Sequence, residues 1–396
     1  MRTSTTPLRA TDIRERNEKI VLRHIRNSQE QGLSQSEVVQ KTGLKAPTVF
    51  RIYSRLETLG LIEPLLAKGE AGEKLERKGR RPAAYRIRPQ ALYMIGLDFW
   101  AESLTLGIFD LCGDSVLSEN LSLDSDIDAE AVCDLIANTI TSAIKRLKIR
   151  REKILGVGVG APGQVNVKTR EISFYSRIKG MTNFPIATKL EAALKLPVTL
   201  NNNCAVLALS EFRYTIRQTD KSLFMFILRA GVNGAFINAD SIFTTARATT
   251  IETGHITIKV DGPVCPCGAK GCLEKMLTEL DQNESQHGGW LFSDLVRDNL
   301  PEESSTPQAG KTLDQAAEYL SAALRTVMRL YNPHQVLFIA ESAALARSLS
   351  RRVQKLCVDY ASHFDAEQPY IYAHAYNPVM AQRGAAELVL DVFLNQ

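Results

Sequence analysis

From residue 92 onward the chain alternates short, strongly apolar runs with helix-length amphipathic segments, and this alternation restricts the possible folds more than any other feature. "LYMIGLDFWAESLTLGIFDLCG" reads as two or three strands joined by tight turns, and "ILGVGVGAPG" as a buried strand ending in a glycine loop. Further strands are expected at "PVTLNN", "SLFMFILRA" and "QVLFIA". Helices are expected at "AEAVCDLIANTITSAIKRLKI", "LDQAAEYLSAALRTVMRLYN" and "AQRGAAELVLDVFL". Such alternation predicts an α/β body. Polar stretches around 281–290 and 301–311 are expected to be surface loops, and no short internal repeat is visible. A chain of 396 residues exceeds one small core, so two or three domains are expected.

The composition, 44% apolar and 23% charged, is that of an ordinary globular protein. The first residues, "MRTSTTPLRATDIRERNEK", carry no apolar core of a signal peptide, and no run of about 18 apolar residues occurs. A cytoplasmic protein with no membrane partner is therefore expected. The seven cysteines, odd in number, fit a reducing compartment better than a disulfide framework. The net charge of +4 is divided unevenly: residues 1–90 hold 19 Lys/Arg against 10 Asp/Glu, the remainder 29 against 34. A basic head on a mildly acidic body is the electrostatic pattern of a nucleic-acid-binding module.

The pattern inside the head supports that reading. "RERNEKIVLRHIRN" places Ile20, Val21, Leu22 and Ile25 on one apolar stripe, a first helix. Ser34 and Glu37 form a capping box that opens a second helix, and Gly43 supplies a turn needing positive φ. Pro47 suits the first turn of a third helix, in which Val49, Ile52, Leu56 and Leu59 are expected to face inward. Thr48, Phe50, Arg51 and Arg55 then face outward, with Lys45 at the helix start. This is a helix-turn-helix whose last helix would enter the major groove. Arg51 suits guanine edges or phosphate. The following "KGEAGEKLERKGRRPAAYRIRP" reads as a wing, with Lys78, Arg80 and Arg81 near phosphate or the minor groove. A three-helix protein-interaction module is the alternative, and the basic wing argues against it.

In "ETGHITIKVDGPVCPCGAKGCLEKM", Cys265, Cys267 and Cys272 lie within eight residues, and His255 precedes the first by ten. One imidazole and three thiolates suit tetrahedral zinc, and four protein ligands would leave no open position for a reactive water. The cysteines alone leave chance or redox chemistry open, although Cys265-Pro-Cys267 is C-x-C rather than the redox C-x-x-C. Gly268 and Gly271 would keep the knuckle tight. Cys112, Cys133, Cys204 and Cys357 lie in apolar segments and read as core, and neither Trp100 nor Trp290 has a supporting constellation.

The ordered set "TGLKAPTVFRIYSRLETLGLIE", "GRRP" and "LYMIGLDF" resembles the N-terminal half of ROK-type transcriptional regulators, with Lys45 and Ala46 where the family usually has Ser/Arg. The body resembles ROK glucokinases and their regulator relatives over nearly its whole length, through "GVGAPGQVN", "IKGMTNFPIATKLEAALKLPV", "LNNNCAVLALSE" and "ETGH…CPCGAKGCLE". The resemblance implies a winged helix-turn-helix on residues 1–88, fused to a two-lobed, actin-like (ribonuclease H-like) sugar-kinase fold. Its lobes would span 89–200 and 201–380, with a C-terminal helix over 381–396 returning to the first. It also implies that zinc is structural and frames a sugar cleft contacted by Asn202, Asn203, Glu252, His255 and Glu274.

The departures from the family are informative. The position of its catalytic aspartate falls on Asn203, and an amide offers no basic site near neutral pH. Its Asp-x-Gly-Gly-Thr phosphate loop reads "DFWAE", where Phe99, Trp100 and Ala101 would crowd a phosphate. A second glycine loop reads "RAGVNGA", and a Gly-Gly pair is replaced by Ala340 and Glu341. The expectation is a sugar-responsive regulator, a repressor of carbohydrate genes, with no catalytic residue and a degenerate kinase body. It would bind an operator duplex and a small sugar as a homodimer or homotetramer. The rivals are an active ATP-dependent ROK sugar kinase and a DNA-binding module controlled by a partner protein.

Overall fold

The computed structural model describes residues 10–65, 84–217, 220–281, 291–292, 307–361 and 368–395. Three helices open the chain: α1 (Ala10–Asn27), α2 (Gln35–Thr42) and α3 (Ala46–Thr58). Ser34 caps α2: its backbone N–H donates to Glu37 Oε2 at 2.8 Å, and its Oγ accepts from the Glu37 N–H at 3.3 Å. Gly43 ends the helix at φ 69°, a conformation glycine adopts without a Cβ clash. Pro47 lies in the first turn of α3, where the missing amide costs nothing. Val21, Leu22 and Ile25 of α1 pack with Val49, Ile52, Tyr53 and Leu56 of α3. Leu59, expected inside, is 58% exposed because α3 stops at Thr58 and the helical period ends with it. Tyr53 fills the core in its place, its hydroxyl donating to the Leu33 carbonyl at 3.0 Å. Strands β1 (Ile62–Pro64) and β2 (Tyr85–Ile87) then pair antiparallel.

The body is built on two five-stranded sheets of the same plan. In the first, β3 (Tyr93–Phe99), β4 (Ser103–Asp110) and β5 (Ser115–Ser122) form an antiparallel meander. After α4 (Ala129–Arg146), β6 (Ile154–Ala161) joins β3 in parallel. A small sheet of β7 (Gln164–Asn166), β8 (Glu171–Phe174) and β9 (Thr182–Phe184), with α5 (Ile186–Leu194), leads to β10 (Val198–Asn202), parallel to β6. Helix α6 (Asn203–Ser210), extended by a π-helical turn over Glu211–Ile216, passes to the second sheet.

There β11 (Leu223–Leu228), β12 (Val232–Asn238) and β13 (Ser241–Ile242) form the meander. Helices α7 (Leu273–Leu280) and α8 (Pro307–Tyr331) precede β14 (Gln335–Ala340), and α9 (Ala343–Ala361) precedes β15 (Tyr370–Ala375). β14 pairs parallel with β11, and β15 with β14. Residues 307–311, expected in a loop, form the start of α8. Its buried face of Leu313, Ala316, Ala317, Leu320 and Leu324 recurs at three- and four-residue steps, so packing carries the helix back past the polar stretch.

Helix α10 (Pro378–Asn395) lies across β3 and β6 of the first sheet. The strands are glycine-faced where it crosses. A Cβ at Gly96 would lie 1.8 Å from the Gln382 carbonyl oxygen, and one at Gly158 would lie 1.8 Å from that of Ala385. Backbone therefore rests directly on backbone. Among the described residues no helix is long and apolar enough to cross a membrane.

Candidate functional site

The metal-ligand quartet comes together. His255 ends a 3-10 turn (Thr253–His255), Cys265 and Cys267 lie in the loop that follows, and Cys272 caps α7. Their donor atoms all lie within 4.8 Å of one another. Cys265 Sγ is 3.6 Å from His255 Nδ1, and Cys267 Sγ is 3.6 Å from Cys272 Sγ. Ligands about 2.3 Å from a tetrahedral zinc would stand roughly 3.8 Å apart, so the donor set and its spacing fit that ion. The knuckle is closed by the Cys265 N–H donating to the Ala269 carbonyl at 2.8 Å, and Gly268 and Gly271 both take positive φ. A Cβ at Gly271 would lie 1.6 Å from the Lys259 carbonyl oxygen.

Glu252 and Glu274 flank the quartet in sequence and face each other in space. Burial first, then the charge of Glu274, lifts the pKa of Glu252 to about 7. Glu274 accepts from the Val232 N–H at 3.2 Å and lies against Gly231, where a Cβ would stand 2.5 Å from its Oε2. Glu252 Oε1 is buried without a hydrogen-bond partner. Asn203, the first residue of α6, is 5% exposed, and its Nδ2 also lacks a partner. The Cys204 thiol next to it is raised by burial, then by the charges of Glu252 and Asp98. Asp98 stands beside the start of α6, since a Cβ at Gly160 would meet its Oδ1 at 3.0 Å and the Asn203 Cα at 3.4 Å. Buried polar atoms left unmatched are costly, and Glu252 and Asn203 each hold one. Asn202 is different: its Oδ1 accepts from the Cys204 N–H at 2.9 Å and its Nδ2 donates to the Gly163 carbonyl at 2.9 Å. Its side chain caps α6 and ties it to the glycine-proline loop, and so is taken up by the fold.

The three altered glycine loops meet in one cluster that linear reading did not foresee. The Arg229 guanidinium, from the β11–β12 turn, lies 3.8 Å from the ring centre of Tyr376 and 4.8 Å from that of Trp100. It pairs with Glu341 at 3.0 Å and is 5% exposed. Trp100 Nε1 and Tyr376 Oη each donate to Asp98 Oδ2 at 3.0 Å. Asp98 is 1% exposed, and burial raises its pKa to about 7 although Arg229 and the two hydrogen bonds act against the shift. Desolvation therefore outweighs the nearby cation. Arg229 is stabilised chiefly by Glu341 and the two π faces, each cation–π contact contributing about 0.5–2 kcal/mol. Trp100 thus belongs to a constellation after all. The signal was the simultaneous loss of small residues from three loops. Phe99, expected to crowd the same space, is instead in the core of the first sheet at 0% exposure.

In the head, Lys45, Phe50, Arg51 and Arg55 are exposed, and Thr48 is half-buried. Thr48 and Arg51 line a groove with Ile13, Arg14, Asn17 and Glu18 of α1. Arg55 is engaged by Glu18 at 3.3 Å, which also takes Arg14 at 3.3 Å. Lys78, Arg80, Arg81 and Trp290 lie outside the described residues.

Comparison with known proteins gives a consistent picture. The ROK family matches residues 94–392. The chain is 24% identical over 247 residues to the xylose repressor of Caldicellulosiruptor bescii, an alignment covering 62% of this chain and 60% of the repressor's length. It is 24% identical over 293 residues to the glucokinase of Halalkalibacterium halodurans, covering 69% of this chain and 86% of the enzyme. The crystal structure of a ROK family transcriptional regulator, a homologue of the E. coli MLC protein, superposes with a TM-score of 0.75 at 18% identity. That superposition covers 96% of this chain and 98% of the regulator.

Proposed function

The chain belongs to the ROK family, and from that premise we propose that it is a sugar-responsive, DNA-binding transcriptional regulator, a repressor, whose kinase-like body senses a sugar without phosphorylating it. In this reading residues 1–88 form a winged helix-turn-helix, and the two lobes over 89–200 and 201–380 close on the sugar. Helix α10 completes the first lobe. The quartet of His255, Cys265, Cys267 and Cys272 holds a structural zinc that braces the 252–274 loop. Glu252, Glu274 and the ring of His255 receive sugar hydroxyls, Asn203 holds a further hydroxyl, and Asn202 orients the start of α6. Carboxylates suit vicinal hydroxyls because they accept charge-assisted hydrogen bonds.

One observation supports a body without catalysis: Trp100 and Arg229, from loops where the family resemblance implies glycines, stand with Tyr376 in front of Asp98. A guanidinium already fixed there by Glu341 fills the space that phosphates would need and stands where their magnesium would. The amide of Asn203 leaves the sugar hydroxyl without a base. In the head, exposed Arg51, Lys45 and Phe50 are offered to the major groove, and basic Lys78, Arg80 and Arg81 add to the charge of that segment. A homodimer or homotetramer would seat two heads on half-sites about one helical turn apart. A sugar releases DNA only if it binds the lobe arrangement that misplaces the heads more tightly than the one that aligns them.

The test is selection of bound duplexes from a random-sequence pool by the zinc-loaded chain. Enrichment of an inverted repeat is the expected outcome; a pool that stays random, with binding that depends on salt alone, would sink the reading. A second reading, an ATP-dependent sugar kinase carrying a DNA-binding head, draws on the 86% coverage of the glucokinase. Release of ADP from ATP with D-glucose, D-xylose or N-acetyl-D-glucosamine would establish it in place of the first.

A further inference from the structure

Helix α10 carries a buried carboxylate at the meeting of three elements. Glu387 is 1% exposed. Its Oε1 accepts from Arg26 of α1 at 2.6 Å and from the Tyr214 hydroxyl at 2.6 Å, and its Oε2 accepts from Arg213 at 2.7 Å. Arg26 also donates to the Leu111 carbonyl at 2.9 Å, and Arg213 also pairs with Asp240 at 2.7 Å and Asp391 at 3.0 Å. Burial alone would lift the Glu387 pKa, but Arg26, Arg213 and the Tyr214 hydroxyl outweigh it and hold the group below the usual carboxylate range.

The two arginines belong to different parts of the molecule. Arg26 lies near the end of α1, the helix that carries Val21, Leu22 and Ile25 into the core beneath α3. Arg213 and Tyr214 lie in the π-helical turn that continues α6, the helix that starts at Asn203. π-turns are rare and recur at functional sites. α6 is buried along its whole length and packs closely on α10: a Cβ at Gly384 would lie 1.8 Å from the Val206 carbonyl oxygen. The cluster itself borders a cleft of about 550 Å³, which Arg26, Arg213, Tyr214 and Glu387 line together with Arg23 and Arg217.

We propose that Glu387 is the joint through which movement of α6 at the sugar cleft reaches the DNA-contacting head. It rests on the regulator reading above, in which cleft and head change state together. Both Glu387 oxygens are held by charge-assisted bonds, and removing one partner of a buried ion pair is strongly unfavourable. A displaced Arg213 must therefore draw Glu387 from Arg26 or carry α1 with it.

Hydrogen–deuterium exchange on the whole 396-residue chain tests this without sugar or DNA. Arg213→Met is expected to speed exchange of residues 20–27 at least about tenfold, and Glu387→Gln to do the same. The double variant is expected to be no faster than Glu387→Gln alone, while β3 and β6 keep wild-type protection, which general destabilisation would not leave. The proposal is overturned if Arg213→Met leaves residues 20–27 at the wild-type rate, or speeds them equally when Glu387 is already replaced. Should Glu387→Gln fail to fold, Tyr214→Phe removes one hydroxyl and no charge; faster exchange of residues 20–27 supports the joint, and an unchanged rate overturns it. Since neither ligand is present, failure of the joint in this experiment is distinguishable from failure of the regulator reading, which the duplex selection tests.

Discussion

Burial sets the protonation of Asp98 against its neighbours, and the sign of the consequence can be worked out. Its pKa in the folded chain is about 7, above the ordinary aspartate value of 3.8, with burial the leading cause. Between those values the folded state binds more protons than the unfolded, so this group's contribution is full at acid pH and is lost as pH rises through about 7. Asp98→Asn, which mimics the protonated form, is expected to gain melting temperature relative to wild type between pH 5 and pH 8. A pH-independent difference would show that the carboxylate is not desolvated. A second expectation concerns Asn203: restoring a carboxylate with Asn203→Asp gives no measurable ADP release with D-glucose and ATP, because Arg229 still fills the space before Asp98. The histidine–cysteine quartet was legible in the sequence because its members span only residues 255 to 272. The Trp100–Arg229–Glu341–Tyr376 cluster was not, because its members are far apart in sequence and only the fold makes them neighbours.

At the scale of elements, local chemistry was a sound guide where backbone groups needed satisfying nearby. The Ser34–Glu37 box, the Gly43 turn and Pro47 specify α2, the turn and α3 from short-range rules alone. Pattern was a weaker guide at the ends: periodicity placed Leu59 in the core and polar composition placed residues 307–311 in a loop, and the fold decided otherwise in both cases. The small sheet of β7, β8 and β9 had no clear signal, because three- and four-residue strands are too short to show alternation. The knuckle between the 3-10 turn and α7 has few apolar residues of its own to bury, and Val260 and Val264 are 85% and 64% exposed. Backbone hydrogen bonds such as Cys265 N–H to the Ala269 carbonyl order it locally, and a zinc held by the proposed quartet would add to that order. Metal analysis is expected to give one zinc per chain, and Cys267→Ser to lower the melting temperature by at least about 3 °C. A metal-free chain of unchanged stability would contradict this assignment.

At the scale of the molecule the two sheets repeat one strand order, meander first and two parallel strands after, and α10 lies against the first of them. The α/β class was legible from alternation, whereas the pairing of α10 with β3 and β6 depends on Gly96 and Gly158, whose role appears only when the crossing backbone is in place. Gly158→Ala must displace α10, because the obstructing atom is a carbonyl oxygen and no rotamer relieves it. A cost of at least about 2 kcal/mol is expected, read as a lower denaturation midpoint. Because α1 is anchored on α10 through Arg23–Asn395 and Arg26–Glu387, head and body signals should fall together. Separate transitions, with only the body weakened, would refute this linkage.

The position of α10 along the chain also governs when the molecule can become whole. A ribosome that stalls before codon 378 leaves the glycine-lined strands bare and the three-helix unit tied to the body only through contacts such as Arg26 to the Leu111 carbonyl. That unit, rich in local contacts, can form early in synthesis, yet its bonds from Arg23 and Arg26 to α10 wait until that helix emerges. Truncated products would thus carry a head whose hold on the body is incomplete.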